Sequence, residues 1–343
     1  MNKVGLSILL ILLATRVEAQ FPLFAGQVFF CSDSSHCETG VQGMLPSRWI
    51  QVSYEKSSPF QAEQGLVGIS AFRRASAKAR IPLLNKPGLK IVGGFSYQQE
   101  YIGLSGNAST ESFPWQEIDQ LRFNNRGMDL VWLHPFRGKA YLAGRVSMNI
   151  ANEDRGFRWR QYSEDIRFTV SQMMVFRPHP GQEFGLGAYV ARSQGRTSSY
   201  PVIVYNQTFN RNWGIESLLP AYVRVRRNLG STAAVLLNVK ASGGSFNFDM
   251  ETDNGTRDLS LRRAEIIGGL SYQQEIADPL WIGFDLGVRQ PLSMNVFDPV
   301  APRTPVASSN LRATTYFNTS LYLVPPSKLI KKMTAKSKAK KGL

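Results

Sequence analysis

The sequence predicts an all-β fold, an antiparallel up-and-down transmembrane β-barrel of about 12 strands. Three observations carry this. Apolar and polar residues alternate with period 2 from about residue 46 onward. The connections between the alternating segments are by turns short and long. After the first 20 residues, no stretch approaches the roughly 18 consecutive apolar residues that a membrane helix needs.

Composition narrows the classes first. With 343 residues, 43% hydrophobic, 11% aromatic and only 2 Cys, the chain is neither disordered nor a disulfide framework. It must bury apolar surface, yet its mean hydropathy of -0.19 does not suit a helical membrane protein. A soluble β-rich chain or a membrane β-barrel remains.

The chain opens with Lys3, an apolar run from Val4 through Ala14, and Val17-Glu18-Ala19 before Gln20. This pattern predicts a signal peptide over 1–19, cleaved on export, and no Cys follows the cut to take a lipid anchor. Residues 20–45 are expected to form a periplasmic lead or a plug. Within them Cys31 and Cys37 are a candidate disulfide, since an exported chain meets an oxidising compartment; two free thiols are the competing reading. His36 is the only other soft ligand nearby, too few for a zinc site, and no metal or cofactor is expected.

Residues 46–325 are expected to be the barrel. Leu89, Ile91, Gly93, Phe95 and Tyr97 alternate with Lys90, Gly94, Ser96, Gln98 and Glu100. Leu142, Gly144, Val146, Met148 and Ile150 oppose Tyr141, Ala143, Arg145, Ser147 and Asn149 in the same way. So do Phe284, Leu286 and Val288 against Gly283, Asp285 and Arg289, and Phe317, Leu321 and Leu323 against Asn318, Ser320 and Tyr322. Twelve such segments start near residues 47, 65, 88, 117, 138, 164, 183, 212, 231, 258, 279 and 311. Five connections are short and rich in turn formers, near 84–87, 134–138, 177–181, 228–230 and 277–279. Six are longer and polar, near 56–64, 103–116, 151–163, 193–211, 243–257 and 290–310. Short turns on one side, long loops on the other and both termini on the short-turn side suit an outer-membrane barrel, whereas a sandwich has no reason to make its connections take turns. Pro220, inside the segment from Trp213 to Arg226, marks either a bulge or a segment drawn too long. As a set, Trp49, Tyr101, Trp132, Trp213 and Tyr322 are expected to form interfacial girdles.

Residues 91–100 and 266–275 are nearly the same decapeptide, with eight positions identical. The strand count runs them in opposite directions, so they read as two strands meeting the same requirement rather than as a duplicated half.

The stretch Tyr200-Pro201-Val202-Ile203-Val204-Tyr205-Asn206, followed by Phe209-Asn210 and Trp213-Gly214-Ile215-Glu216-Ser217-Leu218-Leu219-Pro220, resembles a segment of an outer-membrane β-barrel family of Gram-negative bacteria catalogued as a domain of unknown function. Phe184-Gly185-Leu186-Gly187-Ala188-Tyr189 looks like that family's preceding strand. The resemblance implies a location and an architecture. That family has no assigned activity, so no site residue carries over.

The polar face supplies lumen-lining candidates: Lys90, Glu100, Arg145, Arg167, Arg224, Arg226, Arg263, Glu265, Asp285 and Arg289, with Lys240 beside them. Rings of Arg and Lys would favour anions, while ion pairs filling a narrow interior are the plainer reading. No His-x-Ser pair, no Gly-x-Ser-x-Gly and no His-Glu-x-x-His occurs, so no catalytic residue is assigned and no enzyme is expected. Residues 326–343 form a basic tail expected in the periplasm. Seven of these last 18 residues are Lys, and without them the net charge falls from +15 to 15 - 7 = +8, so nucleic-acid binding is not inferred. The functional expectation is a narrow pore or small-solute transporter exported to the outer membrane, with membrane lipid and small solutes as partners. The alternative is a structural or surface-binding barrel acting through its long extracellular loops. Sequence says nothing of oligomeric state.

Overall fold

The computed structural model describes residues 40–62, 68–86, 88–105, 114–119, 121–136, 139–153, 166–193, 196–252, 255–298, 304–326. The expected leader, the Cys31–Cys37 pair and the lysine-rich tail beyond residue 326 lie outside the described residues. The elements are β1 Ile50–Ser57, β2 Gly68–Lys86, β3 Leu89–Ser105, a short helix α1 Trp115–Ile118, β4 Arg122–Pro135, β5 Ala140–Glu153, β6 Ile166–His179, β7 Gln182–Ser193, β8 Arg196–Thr208, β9 Trp213–Leu219, β10 Tyr222–Asn228, β11 Ala233–Thr252, β12 Gly255–Ala277, β13 Leu280–Phe297, β14 Pro305–Ser309 and β15 Thr314–Leu323.

Each strand from β1 to β13 pairs antiparallel with the next, and β15 joins β13 to β1. Ile50 opposes Leu323 and Leu280 opposes the same Leu323, so the ring closes at its lower end. β14 only caps the upper part of β13, leaving 14 strands in a closed antiparallel barrel. Closure removes the free edges that no membrane strand can leave exposed.

The expected count of about 12 is close, and the two additional strands fall in one neighbourhood. The stretch read as a long loop over 193–211 contains β8, and the segment drawn from Trp213 to Arg226 is two strands, β9 and β10. Pro220 lies in the turn between them, which is where a residue without an N–H belongs. β7 to β8 and β9 to β10 are therefore tight turns on the long-loop side. β3 ascends and β12 descends, in keeping with opposite directions for the two near-identical decapeptides.

The wall is uneven in height. β9 and β10 have 7 residues each, short of the roughly 9 to 11 that cross the hydrocarbon at a tilt. β8 above Ile203 and β11 above Ala241 thus rise past the hairpin tip without a partner from it. β11, with 20 residues, leans across instead and meets the top of β5 in a parallel bridge, Asn247 opposite Asn152.

The greasy face points outward. Leu286 is 63% exposed, Leu186 64% and Phe95 51%, whereas their strand neighbours on the other face are buried or half-buried. A water-soluble protein does not leave large apolar side chains uncovered on nearly every strand, so the belt marks contact with lipid. The aromatic set divides. Tyr101, Trp132 and Trp213 lie on the outer face, and Trp132 lies over Gly144, where any side chain would strike the indole. Tyr322 and Trp49 instead turn inward, Tyr322 stacking on Trp281 and Trp49 packing on Val92 and Val131. They are not girdle residues, because their positions on the alternation belong to the lumen face.

Leu286→Arg, in the middle of that belt, is expected to cost about 2–4 kcal/mol of folding free energy in bilayers. Leu286→Phe should be nearly neutral. Urea titration of lipid-refolded protein, followed by gel mobility, reads both, and equal stability of the two variants would contradict a lipid-facing Leu286.

Candidate functional site in the barrel lumen

The inward side chains form layers, taken here from the short-turn end upward. The lowest is the segment 40–49, which spans the mouth. The Gly40 N–H donates to Glu183 on β7 at 2.7 Å, and Glu183 also accepts from the Tyr141 hydroxyl and Asn206. The Gln42 N–H donates to the Pro180 carbonyl, and Thr208 donates to the Gln42 carbonyl. Arg226 and Asn228 on β10 both donate to the Gly43 carbonyl. Gly43 holds a positive φ of 85° with the Arg226 guanidinium close by, so any side chain here would be strained and crowded. Leu45 then packs against Trp281, Tyr322 and Val324, and the Trp49 N–H donates to Leu323 on β15. β7 and β15 stand on opposite sides of the ring, so ten residues cross its diameter.

Above this segment lies a basic belt. Inward-facing Lys78 and Arg80 on β2, Arg145 on β5 and Lys240 on β11 make it up, with Arg48 of the crossing segment below. Asp129 is 3.3 Å from Arg145 and also acts on Arg80. Arg48 lies over the Tyr322 ring at 4.3 Å, and Asp285, which accepts from Asn318, also acts on it.

Higher still, three arginines and three glutamates interlock. Arg74 meets Glu100 at 2.8 Å and Glu55 at 3.5 Å; Arg263 meets Glu100 at 2.8 Å; Arg289 pairs with Glu55. Glu265 sits among all three, 3.7 Å from Arg74, 3.9 Å from Arg263 and 3.4 Å from Arg289. The three guanidinium groups also pack against Phe72, at 5.2, 4.6 and 4.3 Å from its centroid. The formal charges cancel, which is how so many ions can be held out of bulk water.

The outer mouth is apolar. Phe60, Phe72, Ile102, Trp115, Phe123 and Phe246 belong to one buried cluster drawn from β2, β3, α1, β4 and β11, with Phe123 and Phe246 rings 5.0 Å apart. A second apolar cluster lines the inner wall from β4 to β10, including Met173, Val175, Tyr189, Val202 and Leu218. Tyr189 and Tyr200 stack there at 4.7 Å.

The sequence candidates divide among these layers. Glu100, Arg263, Glu265 and Arg289 form most of the balanced network. Arg145 and Lys240 join the basic belt. Arg224 and Arg226 share Glu216, at 3.4 and 2.9 Å, and Arg226 reaches the crossing segment. Asp285 holds Asn318, and Lys90 and Arg167 are buried on the inward face. Sequence reasoning missed Arg48, Glu55, Arg74, Lys78, Arg80, Asp129, Glu183 and Glu216. A signal for part of β2 was present: Phe72, Arg74, Ser76, Lys78 and Arg80 keep period 2 against Ala75, Ala77 and Ala79. The alanines are too small to look like a lipid face, so the alternation there is faint. Among the described residues, no group of three or more His, Cys, Asp or Glu is placed to hold a metal.

A closed antiparallel barrel, apolar outside and with a polar, layered lumen, defines the class: a transmembrane β-barrel. No family model and no curated protein matches the chain, so the resemblance to a family of unassigned function is not confirmed. The solved structures that the chain is similar to include outer-membrane channels. An outer membrane channel from Pseudomonas putida F1 is 9% identical, with a TM-score of 0.41, over 83% of this chain and 100% of that one. A deltaS2 mutant of the TodX monoaromatic hydrocarbon channel is 9% identical, with a TM-score of 0.39, over 81% of this chain and 88% of its own. The Pseudomonas putida toluene transporter TodX is 8% identical, with a TM-score of 0.34, over 87% of this chain and 97% of its own. These TM-scores are below 0.5, so the class follows from this chain's own geometry.

Glu265→Gln leaves three buried guanidinium groups with one counter-charge fewer and is expected to destabilise the barrel by about 3–5 kcal/mol. Denaturant midpoints of wild type and variant in the same detergent would measure it. An unchanged midpoint would mean that water, rather than Glu265, balances the arginines.

Proposed function

We propose that the protein is a selective small-solute channel of the outer membrane, closed in this conformation. Layered filling of the lumen is the observation that supports the reading. An open porin needs a continuous aqueous path, but here a crossing segment, a neutral ion network and an apolar cap succeed one another along the axis. A purely structural barrel would have no use for an apolar inner flank beside the low β9–β10 wall. In this reading passage requires displacement of residues 40–49 at the lower mouth, which are held by hydrogen bonds to Glu183, Thr208 and Asn228 and by the packing of Leu45 and Trp49. Residues 40–45, the end of the expected lead, act in this reading as the plug.

Planar-bilayer recordings of two refolded chains test the proposal, one starting at Gln20 and one at Pro46. The longer chain should open rarely and the shorter should conduct steadily at the same voltage. Sealed bilayers with both would contradict a channel.

A further inference from the structure

The outer wall carries four cations that no layer of the lumen uses. Alternation turns Lys56 on β1, Arg73 on β2 and Arg122 and Arg126 on β4 outward, and all four are exposed. They stand where the apolar belt ends. Lys56 follows Ile50, Val52 and Tyr54 on the outward face of β1, Arg73 stands above Ala75, Ala77 and Ala79, and Arg126 stands above Met128 and Leu130.

The register gathers them. Lys56 is directly opposite Arg73, Arg73 is opposite Tyr101, and Tyr101 is opposite Arg122. With neighbouring strands about 4.8 Å apart, the three cations of this row fall within about 15 Å. Arg126 lies lower on β4, opposite Tyr97. The Arg73 guanidinium is 5.9 Å from the Tyr101 ring centroid, and among the described residues none of the four cations has a carboxylate as ion-pair partner. The arginines of the lumen network, by contrast, each meet a glutamate. Like charges opposed across a strand pair destabilise it, and an anion from outside the protein relieves that repulsion. At the edge of a lipid-facing belt, the anion at hand is the phosphate of a lipid headgroup.

The wall beneath the cations is furrowed. Each outward alanine of β2 stands between two larger residues: Ala75 between Tyr54 and Gln99, Ala77 between Val52 and Tyr97, and Ala79 between Ile50 and Phe95. At about 3.3 Å per residue, Ala75 to Ala79 give a furrow about 13 Å long that leads up to Arg73. Ile50, Val52, Tyr54, Phe95 and Tyr97 are exposed along its sides, so an acyl chain lying in it would touch apolar side chains on both flanks.

We propose that this face of β1–β4 binds one phosphorylated lipid of the leaflet on the long-loop side. Its phosphate sits between Lys56 and Arg73, and an acyl chain runs along Ala75, Ala77 and Ala79. The site is independent of whether the lumen conducts.

Mass spectrometry of the refolded full chain, released intact from detergent micelles at rising concentrations of lipid A carrying two phosphates, would measure the binding. One lipid A should be retained, and the dephosphorylated lipid and inorganic phosphate should each bind at least about tenfold more weakly. Lys56→Gln with Arg73→Gln should weaken lipid A about tenfold or more, and Arg73→Gln alone, which keeps the test available if the double variant fails to fold, by a smaller factor. Ala77→Phe, which fills the furrow and leaves the cations in place, should also weaken it. Arg192→Gln removes an exposed cation of β7, away from this face, and should change nothing. Lipid A retained equally by wild type and the Lys56 and Arg73 variants, or lost equally in Arg192→Gln, would overturn the site. Inorganic phosphate bound as tightly as lipid A, or indifference to Ala77→Phe, would overturn the role of the furrow.

Discussion

Lipid disfavours charge on the outer face of the wall, so the ionised groups in the middle of this barrel turn to the lumen and are compensated there, while outward Lys56, Arg73 and Arg126 lie toward the upper rim. Most of the interior follows from that restriction. Arg74, Arg263 and Arg289 are reached by Glu55, Glu100 and Glu265 from one arc of the ring running from β12 to β3, and all three guanidinium groups pack against the Phe72 ring. Outside, the same strands present Leu286, Leu186 and Phe95. One alternation serves two solvents.

The restriction also orders the axis. A neutral ion network tolerates an apolar cap directly above it, since it has no net field to be solvated, and Phe72 belongs to both layers. The layer below is different: it carries Lys78, Arg80, Arg145 and Lys240, and it lies where the lumen is bounded by a single crossing segment rather than by a many-stranded apolar cluster. Tight closure above and looser closure below give the two mouths unequal roles. The β9–β10 hairpin, too short to reach the upper layers, leaves the apolar flank as the part of the wall least engaged by either closure.

Barrel architecture was legible because the lipid face is read residue by residue: Phe284, Leu286 and Val288 against Gly283, Asp285 and Arg289 state their own orientation. Strand count was less so. β8 carries Pro201 and a polar beginning, and β9 and β10 are short enough to pass as one strand around Pro220, so turn chemistry on the long-loop side went unrecognised. Individual inward charges could be named from alternation alone, but their partners could not. Arg263 and Glu100 are 163 positions apart, and Gly40 and Glu183 are 143 apart; such pairs exist only once the ring closes. Tyr322 and Trp49 show the converse error, in which residue type suggested a membrane interface and register placed them in the lumen.

The central claim is that successive residues of one strand meet lipid and lumen in alternation. Spin labels placed singly from Phe284 to Arg289 on β13, in a chain with Cys31 and Cys37 replaced by Ser, would measure it in liposomes. The account predicts collision with oxygen dissolved in the bilayer at 284, 286 and 288, and protection from it at 285, 287 and 289. Uniform accessibility to a water-soluble relaxation agent along the whole stretch would contradict it.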